Sequence, residues 1–304
     1  ASTNWEPMAT ITASDAAASD LFGTSVDIDG EYAIIGVYKS DSAGTDSGAA
    51  YIYKYDSTTD AWARQAKLTP SDPAANDRFG FSVSISGDHA IIGAPYKGST
   101  GTGAAYIFAR SGTQWSQVKK LTPHDGADYD RFGTSVSISG NYAVVGSPRS
   151  DTGSAYLWLK DSSWQYRAKL TASDGASGDE FGTSVSISGN FAIIGAYGND
   201  EYGSNSGAAY IFDLTNDTQP VQQKLTLPDA AANSLSGYSV AITNGYAVIG
   251  SLIHNGTGAV DIFKYENDRK NRVSEIVRSP LCLRILTLGR FHRQGFHLHP
   301  RIAI

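Results

Sequence analysis

Cysteine and methionine are almost missing from this chain of 304 residues, which has one Cys, Cys282, and one Met, Met8. A single cysteine excludes an internal disulfide framework, so packing and backbone hydrogen bonds must hold the fold together. The chain also lacks apolar runs of about 18 residues or more, which excludes a transmembrane helix. The first ten residues contain neither a basic segment nor an apolar core, so no signal peptide is expected in them.

Charge is sparse and unevenly distributed. Charged residues make up 18% of the chain, and the formal net charge is −6. From Lys264 onward there are nine Lys and Arg against three Asp and Glu, which leaves 15 basic and 27 acidic residues before that point. The first 263 residues therefore lack the clustered basic side chains that nucleic-acid binding requires.

Motifs of nucleophilic and zinc-dependent hydrolysis are missing as well. The chain contains no Gly-x-Ser-x-Gly and no His-Glu-x-x-His, and its six histidines stand at unlike positions. A carboxylate pair could still hydrolyse a glycoside, but the sequence singles out no such pair. It therefore favours a protein that is not an enzyme.

What the chain has in abundance is repetition. Five copies of one pattern occur: a Phe-Gly pair, a short strand, a turn, a second strand ending in Gly, and Gly-Ala-Ala-Tyr-Ile-Phe or a close variant. The glycines of the Phe-Gly position, at intervals of 57, 53, 49 and 55 residues, are Gly23, Gly80, Gly133, Gly182 and Gly237. Such a period is typical of propeller blades, each of which is a four-stranded sheet.

Each copy predicts four strands. Ser-Val-x-Ile alternates polar and apolar residues, and Ala-Ile-Ile-Gly is an apolar run suited to a strand covered on both faces. Two-residue turns between these strands are predicted at Asp29-Gly30, Ser86-Gly87, Ser139-Gly140, Ser188-Gly189 and Asn244-Gly245. The sequence thus predicts an all-β protein, a β-propeller of four-stranded antiparallel blades. The aromatic residues predicted to fill the space between adjacent blades are Phe22, Phe79, Phe132 and Phe181.

The pattern also divides the chain. Residues 1–265 are predicted to form the propeller, and residues 266–304 form a basic tail without a blade pattern. This tail is either a segment for an acidic partner or sequence from an altered reading frame or a fused fragment. Trp5 to Asp15 aligns with Trp115 to Asp125, so the N-terminal segment is predicted to complete the fifth blade as its outer strand. A fragment of a larger ring is the alternative.

The second copy, FGFSVSISGDHAIIGAP followed by GAAYIF, resembles the FG-GAP repeat. That repeat is the unit of the integrin α-chain propeller and of many secreted bacterial and algal proteins. The resemblance covers roughly Trp5 to Phe263. It implies a propeller fold, an extracellular or cell-surface location, and a role in adhesion, sugar binding or assembly. The calcium loop of the integrin type is replaced here by a short turn, so the resemblance does not imply calcium.

Candidate functional residues lie in the variable loops between the second and third strands of the first and fourth copies, where specificity is often located. The candidate binding residues are Asp41, Asp46, Asn199, Asp200, Glu201 and Tyr202. The oxygens of Asp41, Asp46 and Asp200 are also candidate calcium ligands, although a solvated acidic loop is the favoured interpretation.

A pair of aspartates precedes the Phe-Gly position in four of the five copies, and such carboxylates are also candidate metal ligands or acid–base residues. The pairs are Asp15 and Asp20, Asp72 and Asp77, Asp125 and Asp130, and Asp174 and Asp179. Because these residues recur in the connections between blades, the sequence favours a role in fixing turns over a metal or acid–base role.

The functional prediction is an extracellular or cell-surface binding or adhesion module. It would recognise a polysaccharide or a protein through its rim loops, without catalysis and without a cofactor. Two alternatives remain: a secreted hydrolase acting on a polysaccharide, and a structural unit of an extracellular assembly.

Overall fold

The structure, a computed structural model, describes residues 8–227, 230–243 and 245–265, and the backbone of 277–278. The described residues form five four-stranded antiparallel sheets, one for each repeat. In each sheet the strands lie side by side in chain order. This confirms the predicted blade architecture. We number the blades one to five along the chain.

The strand bounds are as follows. Blade one contains β1 (Ser25–Asp29), β2 (Tyr32–Val37), β3 (Ala49–Asp56) and β4 (Ala61–Leu68). Blade two contains β5 (Ser82–Ser86), β6 (His89–Ala94), β7 (Ala104–Ser111) and β8 (Gln114–Leu121). Blade three contains β9 (Ser135–Ser139), β10 (Tyr142–Ser147), β11 (Ser154–Lys160) and β12 (Trp164–Leu170). Blade four contains β13 (Ser184–Ser188), β14 (Phe191–Ala196), β15 (Ala208–Asp213) and β16 (Val221–Leu225). Blade five contains β17 (Ser236–Thr243), β18 (Tyr246–Ser251), β19 (Ala259–Lys264) and β20 (Val277–Arg278), with a 3₁₀ turn at His254–Gly256.

The hairpin turn between the first two strands lies one residue later than predicted. In blade two Ser86 is opposite His89, so the turn residues are Gly87 and Asp88 rather than Ser86 and Gly87. The serine still pairs across the ladder. Gly87 has φ +56°, and glycine at the first position is typical of a type II′ turn, which suits the twist of antiparallel strands. The same offset occurs in blades one, three and four.

The second strand of blades one to four is buried on both faces, as its apolar run predicts, whereas in blade five one face of this strand is partly exposed. In β6, Ile92 packs into a core shared with blade one, and Ile91 packs into a core shared with blade three. Both side chains are fully buried. The hydrophobic core is therefore a series of layers between consecutive blades rather than one central mass.

Consecutive blades meet through their Phe-Gly segments and their innermost strands. A parallel bridge pairs Phe79 of blade two with Gly48 of blade one, and equivalent bridges occur at the next three junctions. The rings of Phe79, Phe132 and Phe181 are fully buried at these junctions, whereas Phe22 is only partly buried. Burying one such ring contributes roughly 1.5–3 kcal/mol.

The fourth strand of blade five is not the one predicted. That position is occupied by β20, from the basic tail. Within the described part of the N-terminal segment, Met8–Ala13 forms no strand, and Ile11 and Ala13 pack against blade one. Residues 5–7 and the rest of the tail lie outside the described residues.

Candidate functional site

The loop between β2 and β3 in blade one is held by its own hydrogen bonds. Asp41 Oδ1 accepts the backbone N–H of Asp46 at 2.8 Å. Ser47 Oγ accepts the N–H of Ala43 at 3.1 Å and donates to the carbonyl of Ser40 at 3.3 Å. Asp46 adopts a positive φ of +49°, a conformation that Asp tolerates better than most residues. The carboxylate of Asp41 therefore has a structural role within the loop.

The equivalent loop of blade four has the same construction. Asp200 Oδ1 accepts the N–H of Asn205 at 2.7 Å, and Ser206 Oγ accepts the N–H of Tyr202 at 3.1 Å. Asn199 is buried, and its Nδ2 donates to the carboxylate of Asp179 at 2.9 Å. The two loops therefore share the same pattern of hydrogen bonds, although few of their residues are identical.

The structure does not bring the predicted binding residues together. Asp41 and Asp46 belong to blade one, whereas Asn199, Asp200, Glu201 and Tyr202 belong to blade four, with two blades between them. Of the blade-four residues, Glu201 forms an ion pair of 2.5 Å with Lys224, and Tyr202 is 48% exposed. Within the described ranges, no group of three or more His, Cys, Asp or Glu is arranged to hold a metal ion.

Both loops also fasten the following blade. In blade one the carbonyls of Thr45 and Ser47 accept the N–H groups of Asn76 and Phe79 at 2.7 and 3.0 Å. The loop of blade four makes the corresponding bonds to Asn233 and Ser236 at 2.7 and 3.1 Å. These loops therefore contribute to the junctions between blades, and much of their backbone is unavailable to a ligand.

The aspartate pairs hold the connections between blades. The second member of each pair accepts a backbone N–H three residues earlier, as when Ala74 donates to Asp77 at 2.7 Å. The first member is bound by the next blade: Tyr106 and Lys120 donate to Asp72 at 2.9 and 2.6 Å. Equivalent contacts are made by Tyr156 and Lys169 with Asp125 and by Tyr210 and Lys224 with Asp174.

These contacts shift the pKa values of both partners. Partial burial pushes the pKa of Asp72 upward, but the hydrogen bonds from Lys120 and Tyr106 outweigh it and hold the pKa below its ordinary value. Burial, with the hydrogen bond to Asp72, raises the pKa of the Tyr106 phenol far above its ordinary value. Asp72 is therefore ionised and the phenol neutral near pH 7, which is the state in which the phenol donates.

A stripe of aromatic and arginine side chains lies along one rim. Arg78 stacks over the ring of Tyr96 at 4.1 Å and lies 5.8 Å from the ring of Tyr38. Arg131 also contacts Tyr96, with its guanidinium 4.9 Å from the centre of that ring. Phe81 packs edge-on against Tyr38, and the centres of the two rings are 5.5 Å apart. Tyr38 and Tyr96 follow second strands within two residues, and the arginines precede Phe-Gly pairs. We call Tyr38, Arg78, Phe81, Tyr96 and Arg131 the rim stripe.

Farther along the same rim, toward blades four and five, the side chains are of a different kind. Arg149 pairs with Glu180 at 3.2 Å, and the rings of Tyr197 and Tyr238 are 5.6 Å apart. The sequence pattern does not predict this surface. A sequence feature that could have indicated this surface is the residue just before the Phe-Gly position, which differs among the copies. These residues are Leu21, Arg78, Arg131, Glu180 and Leu235.

A concave feature lies on the opposite rim of blade one. It is a shallow, open depression of about 400 Å³ whose lining includes Glu31, Lys54, Asp56 and Arg64. Its two carboxylates share the space with two cationic side chains. The hydrogen bonds from Thr58 hold the pKa of Asp56 below its ordinary value, which is the opposite of the raised pKa that a general acid requires.

None of the helical residues that the structure describes forms a segment long and apolar enough to cross a membrane. Four-stranded antiparallel sheets that follow one another along the chain, joined through Phe-Gly junctions, define a β-propeller repeat protein. The model of the FG-GAP repeat matches residues 5–53, 62–108, 115–158, 164–212 and 220–263. The chain therefore belongs to the FG-GAP repeat family. The comparison with curated proteins gave no match.

Proposed function

We propose that the protein is a non-catalytic binding module of the cell surface or extracellular space. It recognises a polysaccharide through the rim that carries the rim stripe. Family membership supports the location and the general role, because FG-GAP repeats occur in extracellular proteins and serve as interaction modules. The observation that carries the proposal is the stacking of Arg78 on the ring of Tyr96, with the ring of Tyr38 5.8 Å away on the same rim.

The rim stripe has the chemistry of an acidic-sugar site. Aromatic faces stack well against flat apolar surfaces, and arginine presents up to five N–H donors to carboxylate or sulfate groups. The stacked rings hold the guanidinium of Arg78 in place, which lowers the ordering cost of binding. Among the described atoms, its Nε is buried without a hydrogen-bond partner. An acidic polysaccharide would therefore meet a preformed surface.

Local charge supports the same ligand class. The first 263 residues carry a formal charge of −12, with 15 basic against 27 acidic residues. Against that background, Arg78 and Arg131 lie together at the ring of Tyr96. Concentrating cations on an otherwise acidic surface favours an anionic ligand at that place alone.

A binding screen against neutral glycans, acidic glycans and matrix proteins tests the proposal, with variants Arg78→Met and Tyr96→Ala. Each variant should weaken binding to the acidic glycans by about tenfold or more, as expected for loss of an anchor residue. The matched controls are Arg64→Met on β4 and Tyr246→Ala at the start of β18, which lie away from the rim stripe and should bind like the wild type.

Three results would change the proposal. Binding that survives both rim-stripe variants would place the site elsewhere, and binding of matrix proteins alone would replace the sugar by a protein ligand. If chelator abolishes binding and added calcium restores it, the loops of Asp41 and Asp200 become the candidate site. Asp41→Asn and Asp200→Asn then test those two carboxylates directly.

A further inference from the structure

Two of the blade junctions carry a pair of aromatic side chains on the rim that holds the rim stripe. Between blades one and two, the ring centres of Tyr38 and Phe81 are 5.5 Å apart and the ring planes are inclined at 60°. Between blades four and five, the ring centres of Tyr197 and Tyr238 are 5.6 Å apart and the planes are inclined at 56°. We call these the first and the second aromatic pair. Their matching geometry indicates one structural feature that occurs twice.

The members of the two pairs occupy equivalent positions in their repeats. Tyr38 follows β2 directly, and Tyr197 follows β14 directly. Phe81 and Tyr238 each come directly after the glycine of the Phe-Gly position. At the two junctions in between, the same positions hold Pro95 with Thr134 and Pro148 with Thr183. The blade architecture therefore does not require aromatic side chains at these positions.

The loops beside the two pairs are also alike. Gly48 comes ten residues after Tyr38, and Gly207 comes ten residues after Tyr197, whereas the equivalent intervals in blades two and three are eight and five residues. In both long loops the N–H of that glycine donates at 2.8 Å to the backbone carbonyl of the second residue after the tyrosine. Blades one and four thus present the same combination of aromatic side chain and loop on this rim.

Charge distinguishes the two pairs. Arg78 lies 5.8 Å from the tyrosine ring of the first pair, whereas Leu235 stands at the equivalent position beside the second pair. Burial and the nearby carboxylate of Glu180 raise the pKa of the Tyr197 phenol, and Arg149 pairs with that carboxylate at 3.2 Å. The second pair therefore offers aromatic and aliphatic surface, where the first offers a cation as well.

We propose that the second aromatic pair is a further sugar-binding subsite, which takes an uncharged residue of the polysaccharide whose acidic residues meet Arg78. This inference rests on the proposed function and defines its ligand more closely, as a polysaccharide that contains both acidic and uncharged sugars. Aromatic rings stack on the apolar face of a sugar, whereas a carboxylate at this pair would lose water without gaining a partner. Because one ligand chain can occupy both subsites, the second contact is made at a high effective concentration.

Galacturonan is a suitable probe, because methyl esterification removes the charge of its carboxylates and leaves the backbone unchanged. Isothermal titration calorimetry of the full chain compares unesterified galacturonan with the partly methyl-esterified polymer. We expect the wild type to bind the partly esterified polymer about tenfold more tightly, since this polymer supplies acidic residues for Arg78 and uncharged residues for the second pair.

Substitutions at Tyr238 test whether this preference arises at the second pair. Tyr238→Thr should abolish it, because threonine stands at this position in the two intermediate junctions and has no ring. Tyr238→Phe, which copies the first pair, should keep the preference. Tyr246→Thr is the matched control, since Tyr246 is also 48% exposed in blade five but lies at the start of β18. Far-UV circular dichroism verifies folding, and if Tyr238→Thr is unfolded, Tyr238→Leu takes its place.

The outcomes separate this inference from the proposed function. A wild type that binds the two polymers equally, or a Tyr238→Thr variant that keeps the preference, overturns the inference. If Arg78→Met weakens binding of both polymers in that case, the proposed function stands alone. A wild type that binds neither polymer also overturns the inference, whereas the proposed function is then decided by the other acidic glycans of its own screen.

Discussion

The phenol of Tyr106 donates a hydrogen bond of 2.9 Å to the carboxylate of Asp72, 34 residues earlier in the chain. Tyr106 lies in the third strand of blade two, and Asp72 lies in the connection that leads out of blade one. Lys120 of the outer strand β8 binds the same carboxylate. The connection between two blades is therefore hydrogen-bonded to the third and fourth strands of the blade that follows it.

Removing this phenol should destabilise the protein. We expect Tyr106→Phe to lower the free energy of unfolding by about 1–3 kcal/mol, since a hydrogen bond to a charged group is lost at a buried ring. Urea denaturation provides the measurement. The control is Tyr55→Phe, whose hydrogen bond to Asp60 is exposed and should contribute little. Equal losses in the two variants would contradict a special role for the Tyr106 contact.

Stability should fall in acid because of the first aspartate of each pair. The pKa values of Asp15, Asp72, Asp125 and Asp174 are below their ordinary value. A carboxyl whose pKa is lowered by folding stabilises the folded state above its unfolded pKa of about 3.9. That contribution is lost as the pH falls through the lower, folded pKa. The urea midpoint should therefore decline below about pH 5.

The variant Lys120→Met isolates one of these groups. Without the ammonium, the pKa of Asp72 moves back toward its ordinary value, so less stability is lost between neutral and acidic pH than in the wild type. Lys119→Met, a change at the exposed neighbouring residue, should leave the pH profile unaltered. If both lysine variants reduce the pH dependence of stability equally, the net charge of the protein rather than the contact with Asp72 is responsible.

The four junction phenylalanines should not be equivalent. We expect Phe79→Ala to cost about 3–5 kcal/mol, the range for a fully buried ring. Phe22→Ala should cost less than half as much, because no described blade precedes blade one. Both values are to be measured by urea denaturation. A full-sized loss at Phe22 would show that its ring is covered.

Glycine is required where two blades approach each other. A Cβ on Gly93 would lie 2.1 Å from the carbonyl of Gly133 in the next blade. Gly93→Ala should therefore destabilise by about 1–3 kcal/mol or more through overpacking. Gly250→Ala is the matched control, since there only the rotatable hydroxyl of Ser239 is close. Thermal unfolding should separate the two variants clearly, and similar melting temperatures would argue against backbone contact between blades.

Much of the fold could be predicted from the sequence because each blade is encoded locally. Ser82 to Ile85 alternates with period two, and the strand found there is Ser82–Ser86. The turn was misplaced by one residue because side-chain pattern does not show where backbone pairing stops. The outer strand of blade five was assigned to Trp5–Asp15 on an alignment, whereas β20 occupies that edge. An alignment compares segments but does not show which of them reaches an edge.

The candidate site was far less predictable. Tyr38, Arg78 and Tyr96 come from different connecting segments and lie 18 to 58 residues apart along the chain, so no local pattern reveals that they are in contact. For Asp41 and Asp200, the sequence predicts loop carboxylates that are candidate calcium ligands. The structure gives each a backbone N–H to accept, which local sequence could indicate only as one of several uses of an Asp.

By itself, the sequence determined the blade: its four strands, its glycine turns and its Phe-Gly junction, all set by residues close together in the chain. Only the tertiary structure decided which carboxylates are paired and which side chains form the rim stripe. The physical reason is that these properties arise at contacts between blades. A contact between residues from different repeats depends on how the sheets stack, and that geometry is not written in any one repeat.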